Sequence, residues 1–226
     1  MRIATILACA LLAGCGTNTR QQSSEQSSPA PAGSTPAQPA DSRPVIVAFG
    51  DSLTAGFGAD PGQSYPDFLQ KEIDARGFHW RVVNAGVSGD TTTDGLARIG
   101  EVLAYKPRIV ILEFGANDGL RGLPLAATRA NLVQIISALR QAGAEIVLAG
   151  MTLPPNYGPD YIRPFEQMYR DLAAKYKLRL IPFLLTGVAG NPHLMQADGL
   201  HPTGAGNRIV AHNVMQILEP LLHMAQ

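Results

Sequence analysis

The 226-residue chain sets 18 Lys+Arg against 18 Asp+Glu, so its formal net charge is zero. Nucleic-acid-binding domains usually carry a basic excess, and this balance argues against that class. With 46% hydrophobic and 16% charged residues, the length suits one globular domain with a remainder at one end.

The remainder is N-terminal. Arg2 supplies a single positive charge, and Ile3 to Leu12 is an apolar run. That run is too short to span a bilayer, which takes about 20 residues. A basic start, a short apolar stretch and small residues at its end mark a secretory signal over residues 1–14. Leu12-Ala13-Gly14-Cys15 resembles the bacterial lipobox, in which the cysteine becomes the lipidated first residue of the mature chain. The only other cysteine is Cys9, inside the signal. Cleavage before Cys15 leaves one thiol, so no intrachain disulfide is expected. Cleavage also removes Arg2 and leaves a net charge of −1, which sets up no basic patch for an anionic membrane. Gly16 follows the cysteine where an Asp would be associated with retention at the inner membrane. The expectation is therefore an exported lipoprotein on the periplasmic face, anchored to the outer membrane through Cys15.

Residues 15–44 are expected to be a disordered linker. Gly16 to Pro44 contains no Val, Ile, Leu, Phe, Tyr or Trp. Such a stretch cannot bury enough apolar surface to offset the entropy of ordering. A flexible chain of that length spans roughly 30 Å root-mean-square, which suits a tether.

The globular domain is expected over 45–226. Val45 to Phe49 is a short β-branched run ending at Gly50. Trp80 to Val83, Arg108 to Phe114, Glu145 to Ala149 and Leu178 to Ile181 are four more. Near-continuous apolar runs of this length predict strands buried on both faces, as in parallel sheets. Between and after them, Tyr65–Arg76, Thr92–Tyr105, Pro124–Ala142, Asp160–Tyr176 and Thr203–His223 repeat apolar residues every three or four positions. Pro124 at the start and Gly143 after the end fit a helix over 124–142. Successive βα units with right-handed crossovers predict a three-layer α/β/α sandwich. The expected core is a flavodoxin-like five-stranded parallel sheet in the order 2-1-3-4-5, with the site at the carboxyl ends of the strands.

Four polar, glycine-containing clusters fall at that edge. They are Gly50-Asp51-Ser52-Leu53, Asn84 to Thr91 around Gly89, Gly115-Ala116-Asn117-Asp118, and Asp198-Gly199-Leu200-His201-Pro202. A serine hydroxyl becomes a competent nucleophile when a base takes its proton. His201 is the candidate base, and Asp198, three residues earlier, can accept its Nδ1–H and fix the tautomer. The backbone N–H groups of Ser52 and Gly89 and the Asn117 amide are candidate donors to a tetrahedral oxyanion. Taken singly, each cluster has a bland reading. A Gly-Asp-Ser turn usually only caps a helix. Asn117-Asp118-Gly119 is by default a loop signal. Asp198 and His201 alone could be a cap and a surface imidazole. It is their order along successive strand ends that argues for catalysis.

These four blocks resemble those of the SGNH (GDSL) hydrolases over about residues 45–222. Gly115 to Pro124 and Leu153 to Gly158 are similar in particular to the bacterial arylesterase/acyl-CoA thioesterase/lysophospholipase subgroup. The resemblance implies a serine esterase acting on acyl esters. It implies Ser52 as nucleophile, His201 and Asp198 as its partners, and Ser52, Gly89 and Asn117 as the oxyanion hole. The front end departs from that subgroup, because a lipobox and linker stand where its periplasmic members carry a plain signal peptide. A carbohydrate O-deacetylase of the same superfamily is the alternative enzyme, and a ligand-binding lipoprotein with a decayed site is the alternative non-enzyme. No G-x-S-x-G elbow is present, so the α/β-hydrolase fold is not expected. His79, His193, His212 and His223 lack ligand spacing. The acidic strand ends Asp51, Asp90 and Asp118 could suggest a metal phosphoesterase or a phospho-acceptor fold, but that reading has no use for Asn117 or the Asp198/His201 pair. No metal or cofactor is expected. The expected partners are a small acyl ester or lysophospholipid and the membrane at Cys15, with no nucleic acid and a monomeric protein.

Overall fold

The computed structural model describes residues 41–224. The signal segment, Cys15 and the linker up to residue 40 lie outside the described residues. The last four residues of the expected linker, Asp41–Pro44, are described. Arg43 there pairs with Asp41 at 2.7 Å and donates to Trp80 O.

Five strands form one parallel sheet in the order 2-1-3-4-5, as the sequence predicts. They are β1 (Val45–Gly50), β2 (Arg81–Gly86), β3 (Ile109–Glu113), β4 (Glu145–Ala149) and β5 (Arg179–Ile181). β1 and β3 are the central pair, and every residue of both is buried. That double burial is why their sequences read as unbroken apolar runs. The helices are α1 (Ser52–Ala55), α2 (Tyr65–Ala75), α3 (Thr92–Ala97), α4 (Ile99–Ala104), α5 (Ala116–Leu120), α6 (Leu125–Gln141), α7 (Pro159–Tyr176) and α8 (Gly204–Met224). α2 packs on α8, while α6 packs on α3 and α7. With right-handed crossovers these groups cover opposite faces of the sheet. Phe49 on β1 and Phe114 after β3 meet edge-to-face at 4.8 Å. Burying each of those rings contributes about 2–3 kcal/mol.

Three expectations need correction. β2 is half-buried rather than covered on both faces, and it runs on through Asn84 to Gly86. The parallel ladder with β1 continues to Gly50↔Gly86. Asn84 joins it because its amide is satisfied locally, donating to Thr54 O at 2.9 Å and accepting from Gly86 N at 2.9 Å. The helix expected over 92–105 is two helices broken at Arg98, whose guanidinium is engaged with the sheet edge. Asn117, Asp118 and Gly119 are helical, inside α5, rather than a loop. Gly115 before them has φ +113°, a left-handed turn from β3 that favours glycine.

Candidate active site

The carboxyl end of β1 builds the first part of the site. Asp51 caps α1, its Oδ1 accepting from Leu53 N at 3.0 Å. Ser52 is therefore the first residue of a one-turn helix at the sheet edge. It is 9% exposed, and its side chain sits at the mouth of a cavity. Gly50 has no room for a side chain, because a Cβ there would overlap Thr54 Oγ1 and Glu113 Oε2.

The segment between β5 and α8 supplies the second part. His201 Nε2 lies 2.8 Å from Ser52 Oγ, and its Nδ1 lies 2.6 Å from Asp198 Oδ2. Asp198 Oδ1 accepts from the backbone N–H of Leu200 at 2.9 Å and of His201 at 3.1 Å. Partial burial pushes the Asp198 carboxyl upward. The ring of His201 and those two N–H groups outweigh it and hold the carboxyl at about 2. An ionised Asp198 fixes the proton on Nδ1 and leaves Nε2 free to accept from Ser52. Gln196 braces this segment, its Nε2 donating to Phe57 O at 2.6 Å and Pro202 O at 2.9 Å. The Phe57 ring lies 4.7 Å from the His201 ring.

Two further loops close the third side. Gly89 follows β2 with φ +88°, and its carbonyl accepts from Arg121 Nη2 at 2.8 Å. The N–H groups of Ser52 and Gly89 donate to no acceptor among the described residues. Asn117, in the first turn of α5, donates through Nδ2 to Asp90 O at 3.0 Å and Asp51 Oδ2 at 3.1 Å. The structure thus brings Ser52, Gly89, Asn117, Asp198 and His201 to one place. Such a site can activate a hydroxyl and stabilise an oxyanion beside it.

Sequence reasoning missed three contributors. Arg98 donates to Asp90 Oδ2 at 2.6 Å, Ala85 O at 2.9 Å and Gly50 O at 2.9 Å. It ties the ends of β1 and β2 to the residue whose carbonyl holds Asn117. Glu113, at the end of β3, is fully buried and accepts from Asp51 N at 3.1 Å and Thr54 Oγ1 at 2.9 Å. A cavity of about 750 Å³ opens beside Ser52 and His201, walled by Leu120, Met151, Leu153, Phe183, Leu185 and Met195. Several of these residues follow β4 and β5 in stretches that carry no polar signature.

The other acidic strand ends serve the fold. Asp118 accepts from Thr92 N at 2.9 Å and Thr128 Oγ1 at 3.2 Å. Asp90 pairs with Arg98. Among the described residues no group of three or more His, Cys, Asp or Glu could hold a metal ion.

Residues 48–209 match the GDSL-like lipase/acylhydrolase family. The chain is 45% identical over 179 residues to esterase TesA of Pseudomonas aeruginosa, covering 79% of this chain and 89% of that protein. It is 36% identical over 180 residues to thioesterase 1/protease 1/lysophospholipase L1 of Escherichia coli K12, covering 79% of this chain and 85% of that protein. A crystal structure of TesA superposes with a TM-score of 0.76 at 44% identity, covering 78% of this chain and 99% of that one.

Proposed function

Because the chain belongs to the GDSL-like lipase/acylhydrolase family and is a serine esterase of acyl esters, we propose that Ser52, His201 and Asp198 carry its chemistry. The observation that supports this most is the continuous run of contacts from Asp198 through His201 to Ser52. Ser52 Oγ attacks the acyl carbonyl while its proton passes to His201 Nε2. The oxyanion is held by the N–H groups of Ser52 and Gly89 and by the Asn117 amide. Nε2 then returns the proton to the departing alcohol or thiol, leaving the acyl group on Ser52. Water repeats the sequence in reverse roles and frees the acid.

Asn117 enters this scheme already held by Asp90 O and Asp51. An arriving oxyanion shares one of these already oriented N–H groups. Asn117→Ala is expected to lower kcat roughly 10²- to 10³-fold with little change in KM, since that bond strengthens only as charge develops. Steady-state kinetics on a soluble chromogenic ester check this, and a change confined to KM would assign Asn117 to ground-state binding.

The natural substrate is a lipid-derived acyl ester such as a lysophospholipid. The apolar walls and volume of the cavity support this, because an acetyl group alone would leave most of that wall facing water. The relatives named thioesterase and lysophospholipase point the same way. The test sets medium- and long-chain acyl esters and lysophospholipids against acetylated sugars. Faster turnover of the long acyl groups is expected, and preference for the acetylated sugars would favour the O-deacetylase reading.

The chain acts as an outer-membrane lipoprotein anchored at Cys15. The lipobox, the linker composition and Gly16 support this reading. Among the described residues no helix is long and apolar enough to cross a membrane. A diacylated, N-acylated cysteine exceeds the two-signal minimum for stable anchoring. Cys15→Ser is expected to move the protein out of the membrane fraction as a soluble or unprocessed form, with kcat on a soluble ester unchanged. Processed Cys15→Ser protein that still fractionates with the membrane would contradict the anchor.

A further inference from the structure

We propose that Glu113 is a neutral carboxylic acid that donates to the Asp51 carboxylate and thereby positions the oxyanion donors of Ser52 and Asn117. The proposal rests on the roles given above to those two residues. Its chemistry follows from the two oxygens of Glu113. Oε2 accepts twice, from Asp51 N at 3.1 Å and Thr54 Oγ1 at 2.9 Å. The Thr54 hydroxyl also lies 3.3 Å from the Tyr65 hydroxyl, which can supply its proton. Oε1 is fully buried and accepts from nothing among the described residues. An ionised Glu113 would leave a buried anionic oxygen to which no group among the described residues donates, an arrangement proteins seldom tolerate. A proton on the Glu113 carboxyl removes that bare charge.

The side chains of Glu113 and Asp51 are in hydrogen-bonding contact, so a proton on the Glu113 carboxyl has the Asp51 carboxylate as its acceptor. Asp51 suits the ionised role. Its Oδ1 accepts from Leu53 N and its Oδ2 from Asn117 Nδ2, so both oxygens already meet donors. Burial, and then the neighbouring Asp51 charge, push the Glu113 carboxyl well above the usual range. Burial raises the Asp51 carboxyl to about 6, and the N–H of Leu53, the contact with Glu113, the His201 charge and the Asn117 amide keep it from rising further, so it remains the more acidic of the two.

Glu113 therefore holds Asp51 from both ends, by its backbone N–H and by its carboxylate. The backbone hold fixes the turn from which Ser52 N–H and Oγ project. The carboxylate hold fixes the group that steadies the Asn117 amide. Glu113 touches no substrate and is a positioning residue. Removing it displaces two of the three oxyanion donors, and small displacements at such groups cost up to about 10²-fold in rate.

The test compares Glu113→Gln with Glu113→Ala, with each rate divided by the fraction of Ser52 that a fluorophosphonate labels. A glutamine matches the neutral acid: its NH₂ can donate to Asp51 while its carbonyl accepts from Asp51 N and Thr54. E113Q is expected to recover kcat to within about threefold of wild type, and E113A to lose roughly 10- to 100-fold in kcat at little-changed KM. The infrared spectrum of the wild type at neutral pH is expected to contain the carbonyl stretch of a protonated carboxylic acid that E113Q lacks. That reading does not depend on E113A folding. Loss of kcat in E113Q equal to that in E113A, wild-type kcat in E113A, or absence of the band each overturns the proposal. An unlabelled Ser52 in the wild type overturns the triad reading and this proposal with it. A labelled Ser52 with any of the other three outcomes overturns this proposal alone.

Discussion

Ser52→Ala is expected to lower kcat on a chromogenic acyl ester by roughly 10⁵- to 10⁶-fold, the scale seen when a triad loses its nucleophile. The whole acyl-enzyme route goes with the hydroxyl. What remains is the oxyanion hole and the binding cavity acting on water, which leaves a small residual rate. The fold is expected to survive. The substitution removes one oxygen at the mouth of a cavity, and the lost contact with His201 Nε2 is worth about 0.5–1.5 kcal/mol. Kinetics and a thermal melt on the same preparation separate the two effects. A variant that still hydrolyses ester within tenfold of wild type would remove Ser52 from the mechanism.

Asp198→Asn is expected to cost about 10³- to 10⁴-fold in kcat. The asparagine can keep the carbonyl that accepts from Leu200 N and His201 N, so the turn is preserved. Its NH₂ faces His201 Nδ1 and favours a proton on Nε2, the atom that must accept from Ser52. The lower part of the range is the better expectation, because the Asp198 side chain is 37% exposed and water can share its role. Held at about 2, the Asp198 carboxyl remains ionised at every pH at which activity is measured. Its folded value lies below the ordinary one, so protonation, and loss of its contribution, comes only as pH falls towards 2. The deficit in Asp198→Asn is therefore expected at all working pH values, with no new acid limb. Activity near that of wild type at neutral pH would show that His201 needs no such partner.

The strand order was legible because β1 and β3 are buried on both faces, which forces unbroken apolar runs such as Ile109 to Leu112. The polar blocks of the candidate site stand out because small and polar residues interrupt the apolar runs after β1, β2 and β3, and recur between β5 and α8. What the sequence hid follows from contacts that have no local pattern. Asn84 lies in β2 with its amide accepting from Gly86 N and donating to Thr54 O, and the second partner, on another element, is not visible from its neighbours. Arg98 divides a helical pattern because Asp90, Ala85 O and Gly50 O converge on it from two strand ends. Glu113 ends an apolar run, and none of its sequence neighbours reveals that this carboxyl is fully buried beside Asp51 and Thr54. The cavity walls were invisible for the opposite reason. Met151, Phe183 and Met195 read as ordinary core until the fold shows that they face a space beside Ser52.

The central claim is that the acyl group passes through Ser52. Intact-protein and peptide mass spectrometry after acid quench of turnover with a slowly deacylated ester measures this directly. The predicted result is one acyl adduct per chain, located on the peptide containing Ser52 and absent from Ser52→Ala. Steady ester turnover with no adduct, or with the adduct on another residue, would contradict it.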